Sequence, residues 1–528
     1  MTQIYRETRV RMADGVLLYT VAALPRATGS FPIVFIRSPY DPPEITPELI
    51  LADARPLLDQ GYAVVRQHCR GSGRSKGVFI PYVSERQDGL ETLQWIRRQD
   101  FYQGEIYPVG GSYLAAVHLL YLDARPEDVK GAILEMHDSD YYRIFYRNGF
   151  FRISLFGWFT YMYQLRSKLR KDFVVPDSYR ILPLCDYSLA VFNERVPSFD
   201  DLLRHPQPED PFWQADGICT NLAGAVRDAT IPILLTTSFY DIFADGILDL
   251  WTRISSGNRG NCAMLVTPYD HTNQHHEGSP LKFKRGELAD VCPNYVANWL
   301  NHIRCGEPLE FIQKGKIAYY VLFRNEWRFA EYLTEGPYRL TLYLNDRELA
   351  EKAGATSEIT YTYNPYAPAG FRGGICNDFD GMQVQDPPNS RYDIISFVSS
   401  PLSGPLLVRG KMNAELHVRS DCTDTCFYIR VSIVKNEVAY ALRDDITSLS
   451  QQIDEYRPGD EAVLCFSCTP IAFELHPGDR IRIDVSSSCF PVFSIHTNNK
   501  GPQNEQKTAR IAHNTLICGK SRLILYHD

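Results

Sequence analysis

Short continuous apolar runs alternate with stretches of helical spacing over the first part of the chain. Residues 3–24 alternate in strand fashion around Asp14-Gly15, a hairpin signal. Phe31-Pro-Ile-Val-Phe-Ile36 is apolar throughout, as in a central strand buried on both faces. Residues 48–60 carry helical periodicity and stop at Gly61, and Tyr62-Ala-Val-Val65 predicts the next buried strand. Glu85 to Gln99 has helix spacing, with Leu90, Leu93, Trp95 and Ile96 apolar. Tyr107-Pro-Val109 ends another run, Tyr113 to Leu120 has the content of a buried helix, and Val129-Lys-Gly-Ala-Ile-Leu134 returns to strand. Strand and helix in alternation predict a parallel sheet covered on both faces.

The pattern changes near residue 138. From Asp138 to about Ala225 no apolar strand run occurs, and Tyr, Phe and Arg dominate with mixed helical periodicity. Strands resume at Ile231-Pro-Ile-Leu-Leu235 and Ala263-Met-Leu-Val266, and Tyr295 to Ile303 predicts a helix. After about residue 312 the runs are short and several alternate: Ala318–Leu322, Arg339–Leu344, Ala414–Val418 and Arg480–Val485, separated by Gly/Pro/Asp turns. That style predicts an antiparallel β-sandwich. The expected fold is therefore α/β plus all-β. An α/β domain spans 1–140 and 226–310, a helical cap is inserted over 141–225, and a β-sandwich takes 311–528.

The most informative stretch is Tyr107 to Leu119, YPVGGSYLAAVHL. Gly110 and Gly111 permit a backbone turn that a side chain would obstruct. Ser112 follows at once and a helix begins. Strand, sharp turn with a serine, helix is the pattern of the nucleophile elbow in α/β-hydrolases, although Leu114 stands where G-x-S-x-G has its last glycine. A serine hydroxyl is a weak nucleophile and needs a base, which in turn needs an orienting carboxylate. The strand at 231–235 runs on to Asp241, and the strand at 263–266 runs on to His271. Both fall just past carboxyl ends of strands, in the order Ser, Asp, His. Asp245, Asp249 and Asp270 are rival acids, and His275 and His276 rival bases, but each lies less favourably placed in the chain.

Composition narrows the functional classes. Hydrophobic residues at 44% and charged residues at 22% of 528 describe a globular protein with a substantial core. The net charge of −8, without a Lys/Arg block, argues against nucleic acid or an anionic membrane as partner. The loop at 67–77 is glycine-rich but matches neither nucleotide-binding pattern. Cys465/Cys468 and Cys422/Cys426 are close pairs without a second pair at zinc-site spacing, so no metal is expected, and acyl transfer by a serine needs no organic cofactor. Thirteen scattered cysteines and a charged N-terminus predict reduced thiols in a cytoplasmic protein.

With those residues placed, the chain resembles the cocaine esterase/X-prolyl dipeptidyl peptidase group of serine hydrolases, which also contains α-amino acid ester hydrolases and glutaryl acylases. The resemblance rests on RSPYD at 37–41, the RG…G loop at 70–77, and the W…GGSY stretch at 95–113. It extends to FYD at 239–241, PYDH at 268–271, EWR at 326–328, YNP at 363–365 and R-x-x-V-S-S-S-x-F-P at 482–491. It implies a hydrolase domain, an inserted helical cap and a C-terminal jelly roll. It also implies Ser112 as nucleophile, His271 as general base, Asp241 as its orienter, and Tyr40 with the Tyr113 N–H as oxyanion hole. Tyr146, Trp158 and Phe243 fall where the family's esterases set rings around the acyl group. Ala115, Ile242 and His68 depart from common family residues, and His68 removes an expected aspartate partner for Arg70.

The expected activity is acyl transfer from a small-molecule ester or amide, or a short peptide, to water, with a homo-oligomer allowed for. An X-Pro dipeptidyl aminopeptidase is the alternative. It needs a carboxylate for the substrate's ammonium, for which Glu135, Asp138 and Asp140 are candidates. A second alternative is a non-catalytic sugar- or peptide-binding protein on a hydrolase frame.

Overall fold

The computed structural model describes residues 4–167, 179–375 and 380–528. Among these, ten strands form one sheet whose middle is parallel. Its strands are β1 (Ile4–Arg11), β2 (Leu17–Leu24), β3 (Phe31–Ser38), β4 (Ala63–His68), β5 (Tyr102–Gly111) and β6 (Ala132–Glu135). A two-strand hairpin lies apart from it, β7 (Tyr146–Arg147) with β8 (Phe150–Phe151). The sheet continues with β9 (Ile233–Ser238), β10 (Ala263–Thr267), β11 (Ile317–Val321) and β12 (Glu326–Ala330), in the spatial order β1-β2-β4-β3-β5-β6-β9-β10-β11-β12. Strands β3, β9 and β10 are buried along nearly their whole length, which is why they read as unbroken apolar runs. Helices α1 (Pro47–Leu58), α2 (Glu85–Arg97) and α3 (Tyr113–Leu122) fill the crossovers. Thr46 caps α1 by accepting the Leu49 N–H, and Pro47 opens the helix where its missing N–H costs nothing. Helix α3 is buried on every side except at Leu114, packed between α2 and α8 (Ile218–Arg227).

Between β6 and β9 the chain leaves the sheet. It forms α4 (Tyr141–Phe145), the β7–β8 hairpin, α5 (Ser154–Ser167), α6 (Tyr187–Phe192), α7 (Pro197–Arg204) and α8. Part of the expected helical insertion, 168–178, lies outside the described residues. Beyond β12 the strands from Tyr338 to His527 form a second, thirteen-stranded assembly, antiparallel among the described residues except where Glu348–Leu349 pairs with Val398–Ser399. The expected start of the sandwich at 311 is corrected here. The run at 318–322 pairs in parallel with β10, Leu265 opposite Ala318, and belongs to the first sheet. Its end then turns into the second assembly, where the Leu322 N–H donates to the Ala472 carbonyl at 3.0 Å.

The inserted segment is sewn to the C-terminal assembly. Arg152 bridges Phe493 in antiparallel fashion. The Ile153 N–H donates to the Val492 carbonyl and the Ser494 N–H to the Phe151 carbonyl, both at 2.9 Å. Asn148 donates through Nδ2 to the Ile446 carbonyl at 2.8 Å, and Arg147 pairs with Asp445 through Nε at 2.9 Å. These contacts tie the cap to the second assembly as well as to the sheet.

Candidate active site

Four parallel strands end at one edge, and the residues just past them meet. Tyr40 follows β3, Ser112 follows β5, Asp241 follows β9 and His271 follows β10. Ser112 sits at φ 57°, ψ −129°, a left-handed conformation costly for a residue with a side chain. The strain turns the hydroxyl away from the strand and lets α3 begin at the next residue. Gly110 makes the turn fit, because a Cβ there would lie 2.3 Å from the Leu114 carbonyl oxygen. A Cβ on Gly111 would meet only ordinary contacts, at 3.7 Å. Ala115, where the family commonly has glycine, is fully buried, so its methyl is accommodated.

His271 Nε2 lies 2.9 Å from Ser112 Oγ, and its Nδ1 lies 2.8 Å from Asp241 Oδ1. Asp241 is fully buried and itself held. Oδ1 also accepts the Phe243 N–H at 3.0 Å, and Oδ2 accepts the Thr237 hydroxyl at 2.8 Å. A carboxylate in that position fixes His271 with its proton on Nδ1, leaving Nε2 to accept a proton from the serine. The rival bases point elsewhere: His276 pairs with Asp270 at 2.6 Å, and His275 sets its edge against Tyr269. The rival acids are engaged too, Asp245 by Arg147 and Asp249 by Arg143 and Arg253.

Ser112, His271, Tyr40 and Tyr113 open onto a cavity of about 620 Å³. Trp158 and Phe243 line it, as the resemblance implied. Tyr146 does not. Its ring is buried inside the cap, donating to the Leu202 carbonyl at 2.8 Å and accepting from Asn504 at 2.9 Å, while the preceding Phe145 faces the cavity. Sequence reasoning missed Tyr82, His137, Pro491 and Val492. Tyr82 takes φ 70°, which no residue pattern announces, and its N–H donates to the Tyr113 hydroxyl at 2.8 Å. That hydroxyl in turn donates to Glu85, which pairs with the wholly buried Arg37. His137 Nδ1 donates to the Asp138 carbonyl at 2.8 Å, so its Nε2 accepts the Tyr82 hydroxyl at 3.2 Å. Burial pushes the His137 imidazole down to about 4, so it is neutral near pH 7.

No Asp, Glu, Lys or Arg lines the cavity among the described residues. Glu135 accepts from Tyr295 at 2.6 Å and from Thr236 at 2.7 Å. Asp138 receives both arms of Arg143 at 2.8 Å and packs against Gly246, where a Cβ would strike its carboxyl carbon. Asp140 caps α4 through the Arg143 N–H. All three carboxylates are engaged in structure. Arg70 also keeps anionic partners despite His68, through Asp88 at 2.6 Å and Asp14 at 2.5 Å. Cys465 and Cys468 are free thiols, one exposed and one buried. Among the described residues no His/Cys/Asp/Glu group is arranged to hold a metal ion, and no helix is long and apolar enough to cross a membrane.

Comparison with known proteins agrees along nearly the whole chain. Residues 14–273 match the model of the X-Pro dipeptidyl-peptidase (S15) family, and residues 319–523 match that family's C-terminal non-catalytic domain. The cocaine esterase of Rhodococcus sp. is 26% identical over 540 aligned positions, covering 93% of this chain and 92% of that protein. Among solved structures, an α-amino acid ester hydrolase superposes with a TM-score of 0.83 at 20% identity, covering 100% of this chain and 97% of that one. An aminopeptidase from a marine-sediment Thaumarchaeota archaeon gives 0.82 at 19% identity, covering 99% and 96%. At those identities the two structures establish a shared fold, while the paired family models and the full-length relative carry the classification. The chain belongs to the cocaine esterase/X-prolyl dipeptidyl peptidase family of serine hydrolases, enzymes that cleave ester or amide bonds.

Proposed function

We propose that the protein is an esterase for carboxylic esters with an uncharged, apolar or aromatic acyl group. Ser112 Oγ attacks the ester carbonyl carbon while His271 Nε2 takes its proton. Asp241 stabilises the resulting imidazolium. The Tyr40 hydroxyl and the Tyr113 N–H, first of helix α3 and without an intrahelical acceptor, receive the oxyanion. His271 then protonates the departing alcohol, leaving an acyl-enzyme on Ser112. Water attacks that ester with its proton passing to His271, and the acid is released as the serine recovers its proton.

One observation favours this reading over an X-Pro dipeptidyl peptidase. The Asp241–His271–Ser112 relay opens onto a cavity lined by Trp158, Phe243, Phe145 and Leu155, with no carboxylate on its wall among the described residues. An ammonium brought there would lose its water without gaining a counter-charge, which is costly. Steady-state assays should therefore show p-nitrophenyl benzoate and butyrate cleaved far faster than Gly-Pro- or Ala-Pro-anilide. The reverse order would sink the esterase reading. Asp138→Asn should act as a structural lesion. Weakening its partly buried pair with Arg143, which keeps Asp249, should cost about 1–3 kcal/mol of stability, seen as a lower melting temperature. It should not selectively abolish anilide cleavage.

Asp241→Asn tests how the carboxylate works. The oxygen that accepts His271 also accepts the Phe243 N–H, whereas the other faces a hydroxyl that can donate or accept. An asparagine can thus keep its carbonyl toward both N–H groups and turn its amide to Thr237. The histidine tautomer survives and only the charge is lost. The expected fall in kcat is about ten- to a hundredfold, well short of the roughly 10⁴-fold that follows a wrong tautomer. A loss of the larger size would show that the amide flips.

A further inference from the structure

Trp158, on cap helix α5, does more than line the cavity. Its indole Nε1–H lies 3.0 Å from the Tyr40 oxygen. The direction of this bond is not open to choice, because an indole nitrogen can only donate whereas a phenol oxygen can accept and donate. Tyr40 is therefore the acceptor, and its own proton cannot be aimed at Trp158. The same ring lies 5.8 Å from that of Tyr113, centroid to centroid, tilted by 31°. It is held on further sides by Phe79 at 6.4 Å and Phe159 at 5.0 Å. One cap side chain thus touches both residues that supply the oxyanion donors.

We infer that Trp158 is a positioning residue for the reaction, acting through Tyr40. By filling an acceptor site on the phenol oxygen, it turns the O–H toward the substrate oxygen. It also strengthens that O–H as a donor, since a hydroxyl that accepts a hydrogen bond is polarised. The effect is greatest when charge develops on the substrate oxygen, so it belongs to kcat rather than KM. The inference rests on the assignment of Tyr40 to the oxyanion.

A double-mutant cycle on the full-length protein separates the two. Trp158→Phe and Tyr40→Phe each keep a ring, so the fold should survive, with a thermal melt as control. On p-nitrophenyl butyrate, Tyr40→Phe should lower kcat by about 10²–10³-fold, as for one oxyanion donor. Trp158→Phe should lower it about five- to tenfold, the scale of one neutral hydrogen bond. The double variant should match Tyr40→Phe within about twofold, because the indole then has no hydroxyl to orient. A double variant that falls by the product of the single losses overturns the role through Tyr40 and leaves the oxyanion assignment standing. Parental kcat in Trp158→Phe does the same. Parental kcat in Tyr40→Phe overturns both.

Discussion

Ser112→Ala is expected to lower kcat by about 10⁶-fold, the scale seen when a triad that works as a unit loses its nucleophile, while the protein melts at an essentially unchanged temperature. The two halves of that expectation have different sources. Loss of rate follows because the Ser112 hydroxyl is the one held 2.9 Å from His271 Nε2. Preserved stability follows because alanine suffers about the same backbone strain at φ 57° as serine, and only the hydroxyl's contact with His271 disappears. Residual substrate binding should survive, since the cavity walls are untouched. Steady-state kinetics beside a melt checks both halves. Wild-type turnover would remove Ser112 from the mechanism altogether.

His271→Ala should be nearly as damaging, again about 10⁶-fold in kcat, and should also abolish labelling of Ser112 by a fluorophosphonate. A hydroxyl that cannot lose its proton does not attack phosphorus at a useful rate. The neighbours cannot substitute. His276 is turned to Asp270 and His275 to Tyr269, so His276→Ala should keep most of the parental kcat. If His276→Ala were the inactive variant, the base would lie in the 275–276 loop. The relay seen between Asp241 and Ser112 would then have no part in turnover.

Much of this site was legible because the relevant signals are local. An apolar run followed by a polar residue marks a strand end, and Tyr40, Ser112, Asp241 and His271 all stand just beyond one. Parallel strands place those ends on a common edge whatever their spatial order. The run at 318–322 was misplaced for a related reason. Five buried apolar residues look the same in a parallel sheet and in a sandwich, and only the pairing of Ala318 with Leu265 distinguishes them. Tyr146 failed on register. Helix α4 has five residues and passes straight into a strand, so no periodicity tells whether Phe145 or Tyr146 faces the cavity. Tyr82 and His137 gave no signal, since a left-handed tyrosine and a buried neutral imidazole depend on partners far along the chain.

The contacts between the β7–β8 region and residues 492–494 bear on the order in which the enzyme becomes complete at the ribosome. Chains emerge from the N-terminus, and early parts fold while later parts are still being made. Ser112, Asp241 and His271 have all been synthesised by residue 271, before any strand of the second assembly. The wall contributed by Pro491 and Val492 comes more than two hundred residues later. Until then the cavity lacks the part of its wall that Pro491 and Val492 supply. A chain ended between residues 271 and 491 would therefore hold the whole relay yet lack part of the cavity wall.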